Sequence, residues 1–295
     1  MKYFLFSSFL RLTSVLPLGV LHFYGGIVGS FMYLIPNKVQ KASKINIDLC
    51  FPQETADYRQ KLLKDSLIEL GKCLFELGPV WSWPMERLNK KIVSKEGMDE
   101  MLACMNQGRG VLIATPHLGN WELSGLVGAE LFKFTILYKT PKIAGMDQYL
   151  RQARSRAGAT LADINQGGLK QIISALRAGE AAGLLPDQEP RESSAAVFAP
   201  FFGVPAMTMT LFQKLVRKTD AVVFFATMQR LPGARGYKLI LTEADAGIGA
   251  EDTVEAATAL NRELEKIILS CPEQYLWAYK RFKLRPDGAP SIYDE

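Results

Sequence analysis

The distribution of charge along the chain changes character early. From Leu12 to Ile35 there are twenty-four residues without a formal charge, and a helix that spans a bilayer needs about twenty. This predicts an N-terminal hydrophobic membrane-anchoring helix within residues 1–45. Pro17 and the glycines Gly19, Gly25, Gly26 and Gly29 leave a kinked or shallow insertion open beside a straight span. A buried core helix is the third alternative. A cleaved signal peptide fits poorly, because Arg11 interrupts the early apolar run and no A-x-A site closes it. Lys2 and Arg11 precede the run while Lys38, Lys41 and Lys44 follow it, which favours the C-terminal part on the cytoplasmic side. Over 54–81 the apolar positions Leu62, Leu63, Leu67, Leu70, Leu74, Phe75 and Leu77 recur at helical spacing among charges, predicting an amphipathic helix. Pro79 and Pro84 should break it, leaving Trp81 and Trp83 either packed in a connecting loop or at a membrane interface.

Beyond Lys95 short apolar runs alternate with amphipathic ones. Strands are predicted at 110–116, 134–139, 158–163, 181–186, 221–230 and 237–243. Helices are predicted at 97–107, 121–132, 147–156, 168–178, 207–218 and 253–270. Such alternation implies an α/β fold, a mixed, largely parallel sheet flanked by helices, over residues 46–295. Active sites in such sheets gather beyond the carboxyl ends of strands. His117 and Asp187 each follow such an end.

Composition narrows the chemistry. With 295 residues, 48% of them hydrophobic, the chain can build one large core and an anchor besides. A net charge of +5 suits anionic lipid, phosphate-bearing substrates or an acidic protein, and is too small to argue nucleic acid. The four cysteines, Cys50, Cys73, Cys104 and Cys271, are scattered without zinc-ligand or disulfide spacing, so no metal is expected and a reducing compartment is.

Two histidines are present, and His22 lies in the apolar run. Acid–base chemistry near neutral pH therefore points to His117, in the stretch Thr115-Pro116-His117-Leu118-Gly119-Asn120-Trp121-Glu122. With Asn120 as N-cap and Gly119 supplying backbone freedom, the chain can fold back so that Glu122 accepts a hydrogen bond from one imidazole nitrogen and the other becomes a general base. A G-x-S-x-G elbow is missing, no cysteine lies near the histidine in sequence, and a metal hydrolase would need more histidines. Two readings stand: a dyad that activates a substrate hydroxyl towards an activated acyl group, or a structural histidine capping a turn.

The block from Thr115 to Glu122 resembles the HxxxxE motif of the bacterial lipid A biosynthesis acyltransferases, the late lauroyl/myristoyl transferases. Leu185-Pro186-Asp187-Gln188 running to Val197-Phe198-Ala199-Pro200-Phe201-Phe202-Gly203, and Pro272-Glu273-Gln274-Tyr275-Leu276-Trp277-Ala278-Tyr279-Lys280-Arg281-Phe282, resemble two further blocks of that family. The resemblance, with the apolar N-terminus, covers nearly the whole chain. It implies a glycerolipid-acyltransferase-like fold and an acyltransferase with no bound cofactor. The implied donor is an acyl carrier protein thioester, and the implied acceptor is a phosphorylated, Kdo-bearing disaccharide lipid A precursor at the inner membrane. His117 would be the base and Glu122 its orienting partner. Glycerophosphate acyltransferases usually carry Asn before the histidine and Asp at the motif's end, where this chain has Pro116 and Glu122.

Between Lys133 and Arg156 six basic residues, Lys133, Lys139, Lys142, Arg151, Arg154 and Arg156, face one acid, Asp147, an imbalance suited to a phosphorylated acceptor or an acidic carrier. Arg154 and Arg156 are the expected phosphate ligands, with solvated helix faces the alternative. Asp187, Gln188 and Arg191 are expected to organise the site or bind acceptor, and Asn120 and Lys139 complete the expected substrate-binding set. Phe198 to Phe202 is expected near the acyl chain or in the core. Lys280, Arg281, Lys283 and Arg285, interleaved with Trp277, Tyr279 and Phe282, suit an interfacial belt or tertiary packing. The competing functions are acyl transfer to a glycerophospholipid or glycolipid, and non-catalytic binding of membrane lipid.

Overall fold

In the computed structural model, which describes residues 2–141, 145–190 and 195–294, the N-terminal apolar stretch breaks at Pro17. Helix α1 (Lys2–Ser14) ends before it and α2 (Leu18–Leu34) starts after it, because proline presents no N–H to continue the first helix but is preformed for the start of the second. No single helix among the described residues is long and apolar enough to cross a membrane. Only α2 with α3 (Lys38–Cys50), bent by 78°, passes that test as a pair. Both α1 and α2 pack on the long helix α4 (Ala56–Ser82). Gly25 and Gly29 of α2 meet Gly71 and its neighbours on α4 so closely that a Cβ at Gly29 would lie 2.3 Å from the Leu67 carbonyl oxygen. The glycines are thus a helix contact rather than hinges. The other edge of α2 leaves Phe23, Tyr24, Phe31 and Leu34 exposed.

Helix α4 runs through Pro79 to Ser82 instead of breaking there. The lost backbone bond costs about 3 kcal/mol in an isolated helix. Here Val80, Trp81 and Trp83 are buried in the core beyond the proline, and that packing holds the last turn. The short α5 (Met85–Asn89) follows.

The remainder is built on a seven-stranded sheet. Its strands are β1 (Ile92–Glu96), β2 (Val111–Ala114), β3 (Phe134–Tyr138), β4 (Thr160–Asp163), β5 (Ala181–Leu184), β8 (Val222–Arg230) and β9 (Tyr237–Glu243). They lie in the order β1-β9-β8-β2-β5-β3-β4. Every pairing is parallel except β8 with β9, which confirms the mixed, largely parallel sheet. Helices α6 (Met98–Asn106), α7 (Trp121–Leu131), α8 (Met146–Ser155), α9 (Gln166–Arg177), α10 (Leu211–Thr219) and α11 (Thr253–Ser270) flank it. On β2, Leu112 and Ala114 enter one core and Val111 and Ile113 the other. A strand buried on both faces reads as the unbroken apolar run seen in the sequence.

The sheet region also departs from expectation, in three places. β1 joins the sheet edge beside β9. The segment expected to open a helix at 207 is instead β7 (Val204–Met209), paired with β6 (Ala196–Phe201) in a separate antiparallel hairpin. Its two-residue turn, Phe202-Gly203, has φ of 49° and 75°, the left-handed pair that a tight hairpin requires. The expected helix therefore starts only at Leu211.

Candidate active site

The site forms because β2 and β5 are neighbours in register, Ala114 opposite Leu184. His117 lies three residues beyond the first and Asp187 three beyond the second, so the two arrive at the same height above the sheet's carboxyl edge. Asp187 holds the histidine twice. Its Oδ2 accepts the His117 backbone N–H at 2.8 Å, and its Oδ1 meets the imidazole Nδ1 at 2.8 Å. Burial alone would push the Asp187 carboxyl up, but the imidazole beside it and these two hydrogen bonds outweigh burial and hold it below the usual carboxylate range. An ionised carboxylate only accepts, so Nδ1 carries a hydrogen, and in the neutral imidazole the lone pair is on Nε2. The Gln188 amide nitrogen stands 3.1 Å from that Nε2.

The expected hydrogen bond from His117 to Glu122 is not made, and the imidazole's carboxylate partner is Asp187. Glu122 is the second residue of α7, whose N-cap is Asn120: the Asn120 side-chain oxygen accepts the Leu123 N–H at 3.1 Å, as the sequence predicted. From there Glu122 is committed to Arg154 of α8. Arg154 Nε donates to its Oε2 at 3.0 Å and a second guanidinium nitrogen to Oε1, while Trp81 Nε1 donates to Oε2 at 3.0 Å. Burial raises the Glu122 carboxyl, and Arg154 and Trp81 overcome that to leave it lowered. His117 adds a smaller electrostatic contribution in the same direction, so the two motif residues share one field without touching.

Several other expected binding residues are already occupied. Asn120 is buried, with its amide nitrogen on Glu76 at 2.9 Å. Arg154 is the partner of Glu122 rather than a free phosphate ligand. Lys133 pairs with Glu180 and Arg151 with Asp147 and Asp163, so with Arg154 three of the six basic residues are neutralised internally. Arg156 is part-buried and gives one nitrogen to the Val80 carbonyl at 2.6 Å. Lys139 is exposed just past the carboxyl end of β3. Arg191 and Lys142 lie outside the described residues. Phe201 is fully buried and stacks near Phe282, while Trp277 and Arg281 are likewise interior, Arg281 donating to the Met207 carbonyl and to Thr208 Oγ1. These residues are core rather than acyl wall or interfacial belt.

A narrow cleft opens beside Glu122 and Arg154, floored by apolar groups that include Trp121, Leu126, Phe134, Ile136 and Leu184. Gly125 and Gly183 line it too, and a Cβ at Gly183 would come within 2.5 Å of the Phe134 ring. Trp81 was not anticipated as a site residue. Forty-one positions separate it from Glu122, and a tryptophan near the end of a helix carries no local sign of such a partner.

A single histidine held by a buried carboxylate at the carboxyl edge of an α/β sheet, next to an apolar cleft, defines a transferase-type site suited to a substrate with an alkyl chain. The family model for bacterial lipid A biosynthesis acyltransferases matches residues 1–284. The chain is 33% identical over 279 residues to the lipid A biosynthesis palmitoleoyltransferase of Escherichia coli (strain K12), covering 94% of this chain and 90% of that protein. It is 31% identical over 285 residues to the lipid A biosynthesis lauroyltransferase of the same strain, with the same shares covered. A lipid A biosynthesis acyltransferase of Haemophilus influenzae is 28% identical over 302 residues, 99% of this chain and 95% of that protein. The chain belongs to the bacterial lipid A biosynthesis acyltransferase family and is an acyltransferase.

Proposed function

We propose that the protein moves a fatty acyl chain from an acyl carrier protein thioester to a hydroxyl of an acyl chain on the disaccharide lipid A precursor, with His117 as general base. The observation that carries this reading is the His117–Asp187 pair. It sets Nε2 opposite Gln188, with the His117 ring against Trp121, which lines the apolar cleft. In the reaction the acceptor hydroxyl takes the place opposite Nε2 and gives up its proton there as its oxygen attacks the thioester carbonyl carbon. Asp187 stabilises the imidazolium. Collapse of the tetrahedral intermediate breaks the carbon–sulfur bond, and the proton passes from Nε2 to the leaving sulfur, giving ester and free carrier thiol. The Gln188 amide, 3.1 Å from Nε2, is the donor we assign to the developing oxyanion. Glu122, fixed by Arg154 and Trp81, holds the wall of the cleft and adds negative field that favours the imidazolium.

The acyl chain of the donor lies along Trp121, Leu126 and Ile136. Lys139 and Arg156 are the remaining described cations of the expected acceptor set, and they face phosphate. Residues 1–45 form the membrane contact, with the exposed edge of α2 against the inner membrane and residues 46–295 as the acyltransferase domain on the cytoplasmic side. No metal or bound cofactor takes part, and the carrier thioester is a co-substrate.

The test is transfer by the purified chain with carrier thioesters of several lengths and the disaccharide acceptor, read by mass spectrometry. The expected result is one added acyl chain on the disaccharide. His117→Ala and Glu122→Ala should each lower transfer by about 10² or more while vesicle sedimentation is unchanged. Near-normal transfer by either variant, or acylation of phospholipid alone, would overturn the reading.

A further inference from the structure

A second set of buried charges touches the motif turn from behind α7's first residue. Glu76 of α4 is 1% exposed and every lone-pair direction it offers is used. Its Oε1 meets His22 Nε2 at 2.6 Å and Arg230 Nε at 2.7 Å. Its Oε2 accepts from Asn120 Nδ2 at 2.9 Å and from a terminal Arg230 nitrogen at 2.6 Å. The other terminal nitrogen of Arg230 reaches Glu69 at 2.7 Å. One carboxylate therefore ties together α2, α4, the motif turn and the end of β8. Burial would push the Glu76 carboxyl up, yet Arg230 and His22 hold it down at about 2, so it is an acceptor only.

That fixes the Asn120 amide. Facing an acceptor, Asn120 must present its NH₂, which turns its oxygen towards the Leu123 N–H as the cap of α7. The backbone on either side is held as well. Asn120 N–H donates to the Met228 carbonyl at 2.8 Å and Gly119 N–H to the Gln274 carbonyl at 3.0 Å, while the Gln274 side chain brackets the backbone of Arg230. His117 lies three residues before Asn120 and Glu122 two after it, so the orientation of this amide sets where both sit. A buried ion cluster is weak evidence for stability, because well-packed apolar groups of the same volume often serve as well.

We propose that Glu76 is a positioning residue for acyl transfer, acting through the Asn120 amide on the turn that carries His117 and Glu122, and that His22 makes α2 part of this scaffold as well as a membrane contact. The proposal rests on the reading of His117 as the base.

The experiment uses the full-length protein in detergent and compares Glu76→Gln, Asn120→Asp and the double variant, each assayed for its own kcat and for KM of both substrates. Aspartate caps a helix as well as asparagine does, so Asn120→Asp keeps the cap while it replaces the donor to Glu76 by a second buried carboxylate that repels it. Each single change should lower kcat by about tenfold to a hundredfold, the cost of a small misplacement at a reacting centre, with both KM values within about twofold. In the double variant the amide introduced on α4 donates to the carboxylate introduced at the cap of α7 and relieves the repulsion, but its NH₂ also faces the terminal Arg230 nitrogen that Glu76 accepts from, so kcat should recover by about threefold to tenfold over Asn120→Asp and stay below wild type. His22→Ala should lower kcat while vesicle sedimentation is unchanged, and His22→Gln, which keeps a donor, should recover it.

Single variants with wild-type kcat, or a double variant no better than the worse single, would overturn the positioning role. Wild-type kcat in His22→Ala would overturn the part given to α2. If Glu76→Gln does not fold, the comparison of Asn120→Asp with the double variant decides. His117→Ala in the same assay separates the two readings: activity there overturns the base itself, whereas its loss alongside an unaffected Glu76 set overturns only the positioning.

Discussion

His117 owes its chemical state to one dipeptide, Asp187-Gln188, which takes Nδ1 with its first residue and faces Nε2 with its second. The first contact decides the tautomer and the second marks where the acceptor oxygen must go. Asp187→Asn tests this at constant size. The amide can offer its NH₂ to Nδ1, which drives the imidazole hydrogen to Nε2 and removes the lone pair that the hydroxyl needs. We expect kcat to fall by about 10²–10⁴ with little change in KM and with native circular dichroism. An unchanged kcat would mean that Asp187 supports the backbone of the turn alone. Glu122 is a different case, because removing it leaves the guanidinium of Arg154 buried without its partner. Its substitution should therefore disturb the cleft as well as the rate.

At the scale of elements, α2 is joined to α4 along one face, by the glycine contact at Gly25 and Gly29 and by His22 one turn before them. Gly29 and Gly26 make a matched pair for testing the contact. A Cβ at Gly29 would sit 2.4 Å from the Ile68 Cα, whereas one at Gly26 would meet only the tip of Ile68 at 3.9 Å. Gly29→Leu should cost at least about 1–3 kcal/mol of stability by forcing the helices apart, and Gly26→Ala should be neutral or slightly stabilising. Thermal unfolding in detergent separates them, and equal midpoints for the two would show that the helices are not in backbone contact.

The same contact shows where the sequence could and could not be read. β2, β3, β5, β8 and β9 were legible because strands buried on one or both faces are written as apolar runs, and the α7 cap because Asn120 acts on its own neighbours. The β6–β7 hairpin was obscured by Pro200 and Pro205, which face each other across it and argue against strand in any local reading. The continuation of α4 through Pro79 depends on core residues elsewhere in the chain. The partners of His117 and Glu122 are not legible for one reason: spacing along a chain limits neighbours only within an element. The meeting of β2 with β5, and of α7 with α8, is a property of the sheet order.

Among the described residues Glu76, Glu122 and Asp187 are carboxylates set in the interior, each paired to a cation or imidazole from a different element and each lowered. A group whose folded pKa is depressed stabilises the fold above its unfolded value, and that contribution is lost as pH falls through the folded pKa. For Glu76 the window runs from the ordinary 4.5 down to about 2. Glu189 and Glu265 act in the opposite sense, because burial raises both. Their ionisation weakens the fold, and protonating them as pH drops from neutrality relieves it. Stability should therefore hold or rise slightly as pH is lowered towards about 5, then fall steeply below about 4.5 as the lowered carboxylates protonate. Chemical unfolding of the full chain in detergent at several pH values measures this. Glu76→Gln should flatten the acid limb without moving the shallow rise above it. A stability that is constant between pH 5 and pH 3, or an acid limb that Glu76→Gln leaves unchanged, would show that the α4 carboxylate does not stand ionised at the junction of α2, the motif turn and β8.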